Sequence, residues 1–442
     1  MSNPSAAEKP GIPFKHVAAV SLGNALAFYD FLAYLAFAVQ IGHTFFPDPH
    51  TSLLLTYITT ITSFIARPIG AYVMGRVADR IGRRTAMMIS LTLIGVAILG
   101  VVLTPPFRAI GWAAPALVAI FRLLLGFGVG GEVGPSTAYM LEAAPRAQRG
   151  FYTSLQAMTQ DIATFVSAGV GFLIALALNN NAQAMDDWGW RIALLLGVSI
   201  VPFGLWLRRG LPETLGAVRD EPEVANVQTA ALMRIAVLGF IILGAGSMVS
   251  YVQTSMTGYA QDSLHFAPDV AFAAVMFNGL FTFLFDPVSG WLSDRYGRRP
   301  VIIAGVLLTA IATLPSYIAI LHFKTPFALC AAASVLGAIT GIAQPPVATA
   351  ISEAMPQGVR SRGLGLVYAV AIAIFGGLTP ATVTWLIATT GNQMAPGFYM
   401  VGAAVVGLIA ILLLRETAPL ARRKIPSPQG RGEDGANSGN RR

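Results

Sequence analysis

The sequence predicts an all-α membrane protein: twelve transmembrane helices in two pseudo-symmetric six-helix bundles. Apolar stretches of spanning length recur along almost the whole chain, basic residues collect in alternate connections, and a charged decapeptide occurs twice. Of the 442 residues, 11% are charged and 55% hydrophobic, with a mean hydropathy of +0.65. A soluble domain carries about 25% charged residues. Backbone groups in hydrocarbon must bond internally, and long apolar runs without alternation select helices over barrel strands.

A span needs about 20 mostly apolar residues. The stretches fall near 17–42, 52–75, 85–104, 112–140, 150–179, 190–207, 231–256, 270–291, 300–321, 326–351, 362–388 and 396–414. Before them, residues 1–16 are polar and lack a cleavable hydrophobic region, so they read as a cytoplasmic leader. Residues 17–207 form the N-terminal bundle, 208–230 a cytoplasmic linker, 231–415 the C-terminal bundle and 416–442 a disordered cytoplasmic tail.

Sorting the basic residues checks this count. With a cytoplasmic N-terminus, the outside connections hold only Arg108 and Lys324, while the other loop arginines and lysines fall inside. Both termini are therefore expected in the cytoplasm. The net charge of +8 follows from the same bias, and no contiguous basic domain suggests nucleic acid. In "WGWRIALL", Trp188, Trp190 and Arg191 read as an interfacial belt with a snorkelling arginine.

The decapeptides are "GRVADRIGRR", residues 75–84, and "GWLSDRYGRR", residues 290–299, each after the second span of its half. A second repeated signature starts at Glu142 ("EAAPRAQRG") and Glu353 ("EAMPQGVRSRG"). Two repeats at nearly one spacing imply two related halves, which typically enclose a midplane site and expose it to each side in turn. The decapeptides are expected in short cytoplasmic turns, where the aspartate can cap a following helix. Two compatible roles stand, topology fixation and a latch tying the halves together. The expected gate residues are Gly75, Asp79, Arg80, Gly82, Arg83, Arg84, Glu142 and Arg149 in the first half. Gly290, Asp294, Arg295, Arg298, Arg299, Glu353 and Arg360 are their counterparts in the second.

Charge inside a span is costly and marks a functional candidate. Asp30 and Arg122 fit a division of labour in which the arginine is a fixed positive charge and the acid exchanges a proton. Coupling, a permanent ion pair and no contact are the three readings. Glu132 is either a further protonation site or a cap for glycine-rich packing. Arg67 either lines a cavity or snorkels, with snorkelling favoured. Asp161, with Gln156 and Gln160, faces a cavity or packs between helices. Asp286 is expected near the inner gate. Tyr29, Tyr251, Gln253, Asn278, Gln344 and Tyr368 complete the substrate-binding candidates. Gln344 precedes a Pro345-Pro346 break, and Gly376-Gly377 with Pro380 suggests a hinge.

No phosphate-binding loop, GxSxG or HExxH occurs, and the five histidines lack metal-ligand spacing. The expectation is no enzyme, no cofactor and no metal. A lone cysteine, Cys330, excludes an intramolecular disulfide. The near match to GxGxxG beginning at Gly126 lies inside an apolar span and reads as helix packing.

Twelve spans with the duplicated GxxxDRxGRR resemble the major facilitator superfamily over residues 15–415. "GNALAFYDF", "RPIGAYVMGRVADRIGRR", "RLLLGFGVGGEVG", "QRGFYTSLQ" and "WGWRIALLLG" resemble its metabolite:proton symporters. The C-terminal half is most similar to bacterial citrate or tricarballylate proton symporters. The resemblance implies a monomeric inner-membrane importer of a small organic anion, driven by the proton gradient. A di- or tricarboxylate such as citrate is the implied substrate, and lipids and protons are the other partners. Aromatic acids, shikimate-like acids, zwitterionic osmolytes, or efflux of organic acids or drugs are the alternatives. Asp30 and Arg122 match the family's charged positions, and Asp79 and Arg83 its gate motif. Two departures concern the cavity: Ala27 replaces a common glutamate, and Leu125 replaces glutamine in R-x-x-Q-G.

Overall fold

The structure, a computed structural model, describes Ala25 and residues 28–81, 83–143, 145–209, 229–355, 365–414 and 416–417. The leader, most of the linker and all of the tail after residue 417 lie outside these residues, as do Ala27, Gly82 and Arg360. Among the described residues, eleven helices are long and apolar enough to cross a membrane. The described part of the first expected span supplies a further helix.

That helix, α1, covers residues 28–45 with a turn at Phe37. The N-terminal half continues with α2 (Pro49–Arg80), α3 (Arg83–Leu103), α4 (Ala113–Ala143), α5 (Arg149–Ala177) and α6 (Trp190–Arg209). The second half holds α7 (Thr229–Thr254), α8 (Pro268–Tyr296), α9 (Arg298–Phe323), α10 (Pro326–Ala343 and Pro345–Ala354), α11 (Gly365–Thr390) and α12 (Ala395–Leu413). Proline occupies the first position of α2, α8 and α10, where no intrahelical N–H bond is lost. Asp48 and Thr325 cap α2 and α10 with their side chains.

Two expectations need correction. The decapeptides are not short turns: Gly75 to Arg80 closes α2, and Gly290 to Tyr296 closes α8. Only Gly297, at φ +106°, separates α8 from α9, a backbone geometry that strongly favours glycine. The expected break in the tenth span falls at Gln344, because Pro345 and Pro346 cannot continue its hydrogen bonding. Trp190 is fully buried and donates to the Asp186 carbonyl, so only Trp188 faces outward.

Packing places the two halves against each other along α5 with α8 and α2 with α11. Their outward faces expose Ile65, Ile69, Leu173, Ile311 and Ile409, as lipid contact requires. Within the first half, α2 and α4 touch backbone to backbone. A methyl at Gly126 would overlap the Ser63 carbonyl, and one at Gly130 the Arg67 carbonyl. These glycines thus set how closely Arg67 and Arg122 approach.

Gly126→Ala is expected to destabilise the fold by about 1–3 kcal/mol, read as a lower thermal midpoint in detergent. Gly402→Ala, whose methyl meets nothing within 4 Å, should leave the midpoint unchanged or higher.

Candidate functional site

Aromatic packing builds the centre. Phe31 of α1, Phe64 of α2 and Tyr251 of α7 meet edge to face, with centroids 5.2 to 6.2 Å apart, so both halves contribute. Into this cluster α2 projects Arg67, whose guanidinium lies 4.5 Å from the Phe31 centroid and 4.3 Å from that of Phe64. From α4, Arg122 sits 4.0 Å over Tyr34 and 5.3 Å from Phe31. Ring faces attract these cations but satisfy none of their N–H groups in the plane of the guanidinium. Arg67 and Arg122 are 5% and 1% exposed, and each has Nε and Nη2 without a hydrogen-bond acceptor among the described residues. Enclosure between two rings excludes the snorkelling reading of Arg67.

Asp30 shares a small cavity with Arg122, Tyr34, Leu125 and Leu194. Among the described residues Asp30 Oδ1 has no hydrogen-bond partner, and Arg122 acts on the carboxyl through its charge. The cavity measures about 10 Å³, near the lower limit for one water. Leu125, one of the two departures, forms part of its wall.

Other candidates divide between the centre and the interior of one half. Tyr251 and Tyr368 lie within electrostatic reach of Arg67, and Gln160 of α5 stands beside the Tyr368 hydroxyl. Gln156 is buried on the same helix. Asp161 meets Asp286 of the other half. Four candidates are not brought to this centre. The Tyr29 hydroxyl donates to the Ala193 carbonyl. Gln253 donates to Thr340 at 2.8 Å and accepts from Asn278 at 2.7 Å, a network closed within the second half. Gln344 lines a separate cavity between α7, α9, α10 and α12. Only the backbone of Glu132 is described.

At the motif end, Asp294 joins the halves. Its Oδ1 accepts from the Gly150 N–H and its Oδ2 from the Phe151 N–H, both at 2.9 Å. A carboxylate at the start of α5 meets free N–H groups and the positive end of the helix dipole. The aspartate therefore caps a helix, but one in the opposite half, not the helix that follows it. Buried Arg298 donates to Asp294 at 2.6 Å and to both Glu353 oxygens at 3.3 Å. Thr153 and Thr349 add a hydroxyl contact between the halves at 2.5 Å.

The remaining gate residues scatter. Arg299 donates to the Leu412 carbonyl, and Arg295 extends beside Trp291 and Tyr296. Gly75, Arg80 and Arg149 lie at helix ends, and of Asp79, Arg83, Arg84 and Glu142 only the backbone is described. Sequence reasoning missed Glu416, which accepts from the Arg298 and Arg299 amides at 3.0 Å and so caps α9. The signal was present: "PET" at 212–214 and "RET" at 415–417 end the two halves alike.

The opposite end is also closed. Gln40 donates to Gln261 at 2.6 Å, and Asn180 accepts from the Asp269 amide at 3.1 Å. Contacts between the halves at both ends make this an occluded arrangement. Among the described residues, no group of three His, Cys, Asp or Glu side chains is placed to hold a metal.

This architecture and site define a membrane carrier of two related halves, and comparisons with known proteins agree. Residues 16–219 match the family described as Sugar (and other) transporter, and residues 235–434 match the Major Facilitator Superfamily. The citrate-proton symporter of Klebsiella pneumoniae is 34% identical over 409 residues, 91% of this chain and 92% of that protein. The α-ketoglutarate permease of Escherichia coli is 34% identical over 415 residues, 90% and 93% of the two chains. The proline/betaine transporter of Escherichia coli is 30% identical, covering 91% and 84%. In fold, the chain is similar to a crystal structure of a D-xylose-proton symporter, with a TM-score of 0.72 at 19% identity, covering 92% of this chain and 98% of the other. The chain belongs to the major facilitator superfamily. Within it, the chain is a metabolite:proton symporter, a transporter and not an enzyme.

Asp294→Ala leaves the Gly150 and Phe151 amides and Arg298 without their shared acceptor. The closed motif end is expected to lose about 1.5–3 kcal/mol, the usual worth of hydrogen bonds to a charged group. With Cys330→Ala removing the native thiol, a Ser154→Cys probe should then react with a water-soluble thiol reagent at least roughly tenfold faster.

Proposed function

We propose that this protein imports a small organic acid, a di- or tricarboxylate such as citrate, together with protons by alternating access. The observation that carries this reading is the pair of enclosed guanidinium groups, Arg67 and Arg122, whose Nε and Nη2 lack acceptors among the described residues. A buried cation with unmet donors is costly, and a carboxylate bonded in a fork answers both the charge and the N–H groups. Two such groups side by side suit an anion with more than one carboxylate.

Asp30 is the proton carrier in this scheme. Ionised, it balances Arg122 when no anion is present; protonated, it leaves Arg122 free for substrate. Relatives named as citrate-proton symporters and an α-ketoglutarate permease support the acid class. A zwitterionic osmolyte, suggested by the proline/betaine relative, would place a quaternary ammonium on the aromatic rings. Here those ring faces already hold arginine, which favours the acid. In this reading the protein works as a monomer without a cofactor in a bacterial inner membrane, both termini cytoplasmic.

Uptake into proteoliposomes under an imposed pH gradient tests this reading. Labelled di- or tricarboxylate should accumulate, and collapsing the gradient should abolish accumulation. Uptake of betaine and of no carboxylate would refute the substrate class, and accumulation without a gradient would refute symport. Asp30→Asn should lose accumulation yet retain exchange. Arg122→Lys keeps charge but loses the fork, and should raise KM roughly tenfold to a hundredfold.

A further inference from the structure

A second pair of acids, one buried and one half-buried, lies away from Asp30. Asp161 of α5 and Asp286 of α8 face each other, carboxyl to carboxyl, across the boundary between the halves. Their helices pack closely along this boundary. Gly290 lies against the Gly150 carbonyl and Ser154, and Gly279 lies against the Phe165 amide, which brings the two acids together between these contacts. Asp286 is 1% exposed, and neither of its oxygens receives a hydrogen bond from any described residue.

Among the described residues, no cation acts on either carboxyl. Asp161 is the charged group that acts on Asp286, and Asp286 the one that bonds Asp161. Tyr368 of α11 lies beside Gln160 and within electrostatic reach of both Asp161 and Arg67. Two ionised carboxylates both accept hydrogen bonds and neither donates, so side by side they repel, and with Asp286 buried and Asp161 half-buried water relieves little of that repulsion. One proton held between them removes a charge and supplies the missing O–H donor, as in paired-carboxyl sites generally.

We propose that Asp161 and Asp286 form a second proton-binding site, filled by one shared proton when the halves close along α5 and α8. Opening moves the two carboxyls apart, the proton passes to entering water, and both acids are left ionised. The proton then acts as an adhesive between the halves, and its release is bound to their separation. This inference rests on the reading of the chain as a proton-coupled carrier, but not on Asp30 as its proton site or on the identity of the substrate.

Infrared difference spectroscopy of the full chain in liposomes, in water and deuterium oxide, tests the site. The wild type should show a carbonyl stretch of a protonated carboxylic acid that shifts in deuterium oxide. That band should vanish in Asp161→Asn and in Asp286→Asn and persist in Asp30→Asn. An asparagine amide can donate to the remaining carboxylate, so these variants are expected to fold and close while moving one proton fewer per substrate. Absence of the band from the wild type, its loss in Asp30→Asn, or an unchanged proton-to-substrate ratio in both pair variants would overturn the proposal. Carboxylate bands that respond to sodium chloride but not to deuterium would make this a metal-cation site and overturn it as well. Transport without proton movement in a wild type that keeps the band would refute the symport reading alone.

Discussion

Burial of two arginines with incomplete hydrogen bonding is the constraint around which the centre is organised. A guanidinium cannot shed its charge at any ordinary pH, so the chain must surround it with something other than lipid. Phe31, Phe64 and Tyr34 supply ring faces, which hold the cations but leave donors in their planes. Glycines on α4 permit the backbone approach that brings the arginines of α2 and α4 to one place. The site is therefore pre-formed and incomplete, a combination suited to a cargo that comes and goes.

Around that centre, the same boundary is fastened twice. At the motif end, one aspartate from α8 holds the start of α5, and at the other end amide side chains and a backbone N–H meet. The fastenings differ in strength: the first is charge-assisted and reinforced by Arg298 and Glu353, and the second is neutral. Because each fastening joins opposite halves, rocking them apart at either end breaks hydrogen bonds without unfolding either bundle.

Much of this was legible in the sequence. Long apolar runs with sorted basic loops encode helix number and orientation through local physics, since each span must satisfy its own backbone in hydrocarbon. Asp30, Arg67 and Arg122 stood out because charge in a span has few harmless explanations. Their enclosure did not, since whether Arg67 snorkels depends on Phe31, a residue of another helix. Likewise Gln253, Asn278 and Gln344 look like cavity residues until their partners are known, because an amide inside a helix bundle has the same sequence signature whether it meets cargo or another amide. Glu416 was hidden by its place at the last helix's end, where charge is ordinary, and the facing of Asp161 and Asp286 depends on the register of α5 against α8.

The wide turn at Ile372–Gly376 in α11 has a geometric effect of its own. Tyr368 and Gly377 stand nine residues apart, which in regular winding would set them about 180° from each other around the helix axis. Both nevertheless address the first half, Tyr368 toward Gln160 and Gly377 against Phe64. A π-type turn absorbs one extra residue, bringing the separation down to about 80°. Rewinding that turn to ordinary pitch would swing the tyrosine away from Arg67 while its helix kept its place, so α11 carries a swivel as well as a wall.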